Sequence, residues 1–297
     1  MRPSPSPSSL APSSSTGELT VRKLEVDLST GFDRHWHGGD AWRSMYYNAL
    51  SMSFPVGEQF FIDSVRENLT ALPDSPEHAD LRLAIQGFIG QEATHRRVHG
   101  LYNEQLEKQG LVNHWQHWAQ RRIERSRPFN PLHRLAVTCA YEHCTAVFAD
   151  ATLRYASWFD AAEPRMQTLW RWHASEETEH SAVAFDLYRA LGGSHAWRVR
   201  WYVYVLLTFS WEAFSQTCSN LRHDGSLWRV STWWSALGFA FGRDGVAWRC
   251  AGPLLGYFRR GFHPEQPLRP HLPDDADARR LAERWLSANA GAYRVVR

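Results

Sequence analysis

The feature that most constrains this chain is a set of acidic residues on otherwise apolar helical faces. Between residues 41 and 220, apolar residues recur in steps of three and four, and Gly and Pro fall mainly between these periodic segments. Four of the segments place a Glu in the middle of the apolar stripe, namely Glu58, Glu92, Glu142 and Glu177. Burying an ionised carboxylate without a partner costs several kcal/mol or more. A fold that buries these stripes therefore has to bring positive charge to them.

Two of the four segments also supply a histidine, and the arrangement repeats along the chain. Glu58 is followed after 34 residues by the motif Glu92-Ala93-Thr94-His95, and Glu142 is followed after 35 residues by Glu177-Thr178-Glu179-His180. Residues i and i+3 share a face of a helix, so each Glu-x-x-His motif directs two ligands to one place. A lone Glu from two helices and Glu-x-x-His from two others is the ligand set of ferritin-like dimetal carboxylate bundles.

This pattern predicts an all-α fold, a ferritin-like four-helix bundle with additional aromatic-rich helices after it. We expect two metal ions, with iron favoured and manganese or zinc as alternatives, because carboxylate-rich sites suit these metals. In this interpretation Glu92 and Glu177 bridge the two ions. The expected metal ligands are Glu58, Glu92, His95, Glu142, Glu177 and His180.

Other polar residues on or beside the same stripes are candidates for supporting roles. His173 precedes Glu177 by one turn and His99 follows His95 by one turn, so each is an extra ligand, a hydrogen-bond partner of a ligand, or an ordinary core histidine. Glu176 lies next to Glu177, and we expect Glu177 to be the ligand because only it repeats the Glu-x-x-His spacing. Glu176 and His173 are then expected beside the metals, where they influence the reaction. Asp150 is a weaker candidate for orienting a ligand histidine.

Composition and breaks in the pattern suggest how the chain is organised. Residues 1–20 are rich in Ser and Pro and predict a disordered leader, without the apolar stretch of a secretory signal. Residues 21–265 form the expected dimetal domain, with the core bundle at about 41–192 and extra helices at about 196–258. Residues 266–297 predict a Pro-rich tail with a short helix. The spacing of the four cysteines fits neither a zinc site nor a disulfide framework, and together these features favour a cytoplasmic protein.

Several blocks of the sequence resemble a bacterial family named "predicted metal-dependent hydrolase". They are the segments 48–51 and 54–58, Gln91-Glu92-Ala93-Thr94-His95, Glu176-Glu177-Thr178-Glu179-His180 and Gly261-Phe262-His263-Pro264. The resemblance extends over roughly residues 30–265. It implies metal-dependent chemistry, and the family's name implies hydrolysis.

Three functions are compatible with these observations. The leading hypothesis is an O2-activating dimetal enzyme that oxidises or hydroxylates an apolar or aromatic small molecule, with an electron-transfer partner. The alternative is a metal-dependent hydrolase that uses a water activated between two metals. The third is metal storage without a substrate, which the aromatic segments after residue 197 disfavour because storage needs only the core bundle.

The aromatic segments 197–218 and 227–257 have three possible roles. They can form two helices that cover the site and line an apolar channel, they can be simple packing helices, or they can associate with a membrane surface, where Trp and Arg are often mixed. Of these, membrane association is the least favoured. A net charge of +2 disfavours nucleic-acid binding. The oligomeric state is left open.

Overall fold

The computed structural model describes residues 18–273 and 277–296. The predicted leader falls almost entirely outside these residues. The described chain consists of helices and one small antiparallel sheet, which confirms the all-α prediction; no helix within these ranges has both the length and the apolar character needed to cross a bilayer. The elements are β1 (Arg22–Leu24), α1 (Ala41–Leu69), α2 (Ala79–Lys108), α3 (His114–Ser126), α4 (Pro131–Arg154), α5 (Pro164–His180), α6 (Val183–Ala190), α7 (His195–Asp224), α8 (Val230–Phe241), α9 (Val246–Gly256), α10 (Ala278–Ala288) and β2 (Tyr293–Val295).

Four helical segments surround the acidic residues. Helix α1 packs along α2, and α4 packs along α5, while α1 also contacts α4 and α2 contacts both α5 and α6. We call the level of the bundle that contains Glu58, Glu92, Glu142 and Glu177 the acidic layer. Two clusters of buried apolar side chains fill the space between these helices, one on either side of the acidic layer. The bundle therefore brings the apolar stripes of the sequence to its centre. Its closer description as ferritin-like stays a prediction.

Helix α1 continues through Pro55 because a neighbouring helix supplies the missing hydrogen bond. Proline has no N–H, so the carbonyl of Ser51, four residues earlier, loses its partner within the helix. In the structure, Asn103 Nδ2 on α2 donates to the Ser51 carbonyl oxygen over 3.0 Å, and Ser51 Oγ donates to Asn103 Oδ1 over 2.8 Å. Both residues are buried. This pair of hydrogen bonds fixes α1 against α2 near the acidic layer.

The fourth helix of the bundle ends directly after His180. Core-facing residues recur in steps of three and four from Met166 to Leu191, which predicts one continuous helix. This prediction is wrong, because a turn at residues 181–182 separates α5 from α6. Ser181 Oγ donates to the carbonyl oxygen of Thr178 over 3.2 Å, a local hydrogen bond that competes with helix continuation. The apolar spacing continues across the turn because both helices face the same core.

The second aromatic segment is two helices rather than one. Helix α8 ends at Gly242, whose N–H donates to the Gly238 carbonyl, and α9 begins after Gly245. A Cβ on Gly242 would lie 2.4 Å from the Gly238 carbonyl oxygen, so the close turn requires glycine. The sequence prediction of two extra helices is thus corrected to three, α7, α8 and α9.

The ends of the described chain meet in a small sheet. The sequence also predicts a short strand at residues 19–26. It is present as β1 and pairs with β2, which the sequence pattern does not predict. The predicted tail helix is present as α10, which packs against α4 and α5. The sheet holds β1 beside α2, and this places Arg22 next to the acidic layer.

We expect Asn103→Leu to lower the free energy of unfolding by about 2 kcal/mol, because the buried Ser51 carbonyl loses its partner and the Ser51 hydroxyl keeps only His99. Pro55→Ala restores an N–H that can bond to the Ser51 carbonyl. Asn103→Leu should therefore lower the free energy of unfolding less in the Pro55→Ala background than in the unmodified chain. Urea denaturation of the metal-free single and double variants measures both effects. Equal losses in the two backgrounds would contradict this role of Asn103.

Candidate metal centre

The structure brings all six sequence-predicted ligands to the centre of the bundle. Each side chain comes from the core-facing stripe of its helix, and all six residues are buried. Atoms of these residues and of His173 form three overlapping groups, and within each group the potential ligand atoms all lie within 4.8 Å of one another. The groups are Glu58, His95 and His173; Glu92, His95 and Glu177; and Glu92, Glu142 and His180.

Most of the atoms that face one another in this cluster have no hydrogen-bond partner. Glu58, Glu92 and Glu142 each leave both carboxylate oxygens unpartnered, and the same holds for His95 Nδ1 and His180 Nε2. His180 Nε2 lies 3.2 Å from Glu92 Oε1 and 3.5 Å from Glu142 Oε2, close enough for an ion pair but without hydrogen-bond geometry. Buried polar atoms are nearly always satisfied. A set of convergent carboxylate and imidazole atoms without partners fits bound metal.

The two histidines among the predicted ligands, His95 and His180, are oriented from outside the cluster. His95 Nε2 lies 3.0 Å from Glu176 Oε2, and His180 Nδ1 lies 3.0 Å from the side-chain oxygen of Gln91. Each outer nitrogen can donate a hydrogen bond to its oxygen partner. The inner nitrogen of the neutral ring then keeps a free lone pair. Metal-binding histidines in proteins show this arrangement, because the outer bond fixes both the tautomer and the ring orientation.

Arg22 completes this outer layer. Its guanidinium donates to Glu176 Oε1 over 3.2 Å and to both oxygens of Glu179, and Gln91 Nε2 also donates to Glu179. The sequence pattern does not single out Arg22 or Gln91. Gln91 could have been found from its position directly before the predicted ligand Glu92. Arg22 lies on β1, far from the ligands in sequence, so no local pattern points to it.

His173 lies at the edge of the cluster with one nitrogen facing inward. Its Nε2 is 3.0 Å from Glu177 Oε1, and its Nδ1 is 2.8 Å from His99 Nε2. His99 Nδ1 in turn lies 2.9 Å from Ser51 Oγ. Burial lowers the pKa of His173 to about 4, so its imidazole is neutral and available as a ligand. Of the two histidines with several possible roles, His173 belongs to a potential metal group, while His99 supports it from outside.

Glu176 and Glu177 have different surroundings. Glu177 Oε1 lies 3.4 Å from His95 Nδ1, and Glu177 Oε2 lies 3.6 Å from His180 Nε2, so this carboxylate faces both ligand histidines. Glu176 points to the outer nitrogen of His95 instead. Asp150 does not contact a ligand histidine, and that prediction is wrong: it pairs with Arg154 at 2.5 Å and with Arg269 at 2.8 Å.

Burial and mutual repulsion control the protonation of the cluster. Desolvation, followed by repulsion from Glu92, raises the pKa of Glu58 well above its ordinary value, and desolvation likewise raises the pKa values of Glu92 and Glu142. For His180, burial lowers the pKa, but the carboxylates of Glu177, Glu92 and Glu142 together outweigh it and raise the pKa well above the ordinary value. Without metal, this site therefore retains protons that an exposed Glu or His would lose.

An apolar cavity of about 370 Å³ reaches the cluster at Glu58. Its walls come from α1, α3, α4 and α7, and they include Phe54, Phe61, Val137 and Tyr141. Arginines line it as well: Arg122 forms an ion pair with Glu212, and Arg134 forms one with Glu67. The arrangement offers a mostly apolar chamber with one carboxylate of the cluster at its wall.

Comparison with known proteins identifies the family of the chain. The model of a family described as "predicted metal-dependent hydrolase" matches residues 20–267. The chain belongs to this family. No curated protein and no solved structure matches the chain.

Membership of the metal-dependent hydrolase family confirms the resemblance noted in the sequence, and together with the buried Glu and His groups it supports a metal-dependent enzyme. It contradicts the leading functional prediction. The expectation of an O2-activating oxidase or hydroxylase rested on the ligand pattern alone, and the family match supports the hydrolase alternative instead. The error arose because one ligand pattern can serve several chemistries.

We expect Glu177→Gln to lose metal, because Glu177 faces both ligand histidines. Glu176→Gln should retain most of the metal and lower affinity or activity by about 10–100-fold, since it acts through His95. Elemental analysis of the purified variants measures the metal content. Glu104→Gln, which changes an exposed carboxylate on α2, is the control and should keep its metal. Metal loss in Glu176→Gln together with retention in Glu177→Gln would contradict this assignment.

The melting temperature of the metal-free protein should fall by several degrees as the pH rises from about 7 to 9. Above about pH 7 the histidines of the unfolded chain are already neutral, so the lowered pKa values of buried His99 and His173 no longer change stability. The folded-state pKa values of Glu58, Glu92, Glu142 and His180 are raised, so in this range the folded state binds more protons than the unfolded state, and its stability is lost as the pH rises. Differential scanning calorimetry measures the effect. The double variant Glu58→Gln/Glu142→Gln should show a weaker pH dependence, and a flat or rising profile in the unmodified chain would contradict the clustering.

Proposed function

We propose that this chain is a hydrolase that uses bound metal to cleave an apolar small-molecule substrate held in the cavity beside Glu58. The observation that carries the proposal is the convergence of unpartnered carboxylate and imidazole atoms at the wall of a largely apolar cavity. Family membership supports hydrolysis as the reaction type. Hydrolysis consumes only water, so the proposal includes no electron-transfer partner.

We assign the metal to the six predicted ligands, with His173 as a seventh. Two ions are proposed because the potential ligand groups fall toward two ends of the cluster, with Glu58 and His173 at one end and Glu142 and His180 at the other. Glu177 contacts histidines of both ends, and this supports a bridging role for it. Zinc, manganese and iron all accept this mixture of carboxylate and imidazole ligands.

A divalent metal bound there would lower the pKa of a coordinated water and polarise the bond to be cleaved. The chain's own residues contribute position and exclusion of bulk water. Phe54 and Phe61 lie on α1 on either side of Glu58 in sequence, and they make the wall of the cavity near Glu58 apolar. Glu176 and Gln91 hold the ligand histidines in one tautomer, so their inner nitrogens stay available. The apolar walls orient a substrate by burying its apolar part.

The reaction type can be tested with chromogenic probes. We expect the metal-loaded protein to hydrolyse at least one member of a panel of p-nitrophenyl carboxylic esters and phosphoesters, with loss of activity on chelation and recovery on addition of metal. In H2(18)O under nitrogen, the product should contain one labelled oxygen atom. Activity that requires O2, or a fully loaded protein that cleaves no probe, would contradict the proposal.

Filling the cavity should select against long substrates. Val137→Trp places an indole into the chamber, so kcat/KM for a long-chain ester should fall by about 100-fold, while a short ester keeps most of its rate because it needs less space. Steady-state kinetics on an ester series measures the effect, with metal content checked in parallel. Val112→Trp, at a half-exposed position outside the cavity, is the control. Equal losses for short and long esters would show that the cavity does not hold the substrate.

A further inference from the structure

Helix α8 presents an apolar face to the outside of the protein. Its twelve residues include no charged side chain. The exposed positions are separated by steps of three and four, as expected for one side of a helix. They are Val230, Trp233, Trp234, Leu237 and Phe241, and Trp234 is 69% exposed. A helix packed only against its own protein would bury such a stripe.

The helices on either side extend this surface. Helix α7 exposes Val203, Leu207, Trp211 and Phe214, which also share one side, and α9 exposes Trp248 and Leu255. The three stripes are continuous, because the rings of Phe214 and Trp233 lie 6.4 Å apart and those of Phe241 and Trp248 lie 6.1 Å apart. We call these eleven residues of α7, α8 and α9 the aromatic face. An apolar surface of this extent marks an interaction site.

The charges around the aromatic face are basic. Arg229 directly precedes α8 and Arg243 follows it closely, and both are exposed. Residues 195–260 contain eight arginines and three acidic residues, whereas the rest of the chain contains 25 basic and 28 acidic residues. The positive charge of the molecule is thus concentrated in the helices that carry the exposed tryptophans.

We propose that the aromatic face docks the protein on an anionic phospholipid bilayer, with α8 lying in the plane of the interface. Trp side chains favour the boundary between lipid headgroups and acyl chains, and arginines at the rim are attracted to anionic headgroups. A symmetric second copy of the chain is a poorer fit, because it would bring an equally basic rim against this one. None of the described helices can span the bilayer, so the contact is with its surface.

The same surface adjoins one wall of the cavity. Tyr204 is exposed on α7 between Val203 and Leu207, and it also lines the cavity that reaches Glu58. An apolar substrate dissolved in the bilayer would then lie next to a wall of the cavity that reaches Glu58. This last step rests on the proposed function, whereas docking itself does not.

Flotation of the full chain with lipid vesicles tests the docking. We expect binding to vesicles of phosphatidylcholine with about 30% phosphatidylglycerol, little binding to phosphatidylcholine alone, and weaker binding as salt increases. Trp234→Glu and Leu237→Glu should each weaken binding by about tenfold or more. Leu83→Glu changes a half-exposed leucine on α2, away from the face, and should bind as the unmodified chain does.

Melting temperature and metal content show whether each variant is folded, and the double variant Arg229→Ala/Arg243→Ala gives a second test that leaves the apolar residues intact. It should lose the preference for anionic vesicles. Absence of vesicle binding by the unmodified chain would overturn the proposal, as would equal binding by the folded face variants. A lipid-independent dimer that Trp234→Glu converts to a monomer, without vesicle binding, would assign the face to a second copy instead.

Discussion

The rest of the structure depends on the cost of holding four carboxylates together away from water. Glu58, Glu92, Glu142 and Glu177 lie at the centre of the bundle, each nearly or fully buried. Their helices cannot pack otherwise without exposing the apolar residues on the same stripes. The two histidines supply part of the compensating positive charge when they are protonated, but most of the carboxylate oxygens still lack a hydrogen-bond partner. The fold thus buries negative charge that a divalent metal can neutralise.

Support for this centre comes from parts of the chain that carry no ligand. The paired strands at the two ends of the described chain place Arg22 against Glu176, and Glu176 orients His95. Asn103 compensates for Pro55 in α1 and also anchors Ser51, which contacts His99 behind His173. The ligand-bearing helices are therefore held by polar contacts that lead outward from the cluster, and this rigidity is what a site of precise geometry requires.

The sequence predicted which Glu and His residues cluster better than it predicted the turns, strand pairing and supporting residues around them. Glu92 and His95 lie in one helix, so their spacing alone placed them together, and the repeated motif did the same for Glu177 and His180. The break after His180, the division of the second aromatic segment and the strand β2 depend on turns and on pairing between distant segments, which local periodicity does not report. Arg22 and Asn103 act through contacts across the fold. The reaction type was misjudged because ligand identity does not determine how the bound metal is used.

The most direct test of the account is anomalous X-ray diffraction from crystals of the metal-loaded protein, recorded on both sides of the absorption edge of the bound metal. We expect two anomalous peaks inside the cluster, within coordination distance of Glu177 and shared among the six predicted ligands. His95 should bind through Nδ1 and His180 through Nε2, the nitrogens that the outer hydrogen bonds leave free. A fully loaded protein with its anomalous peaks elsewhere, or with none between these four helical segments, would contradict the central claim.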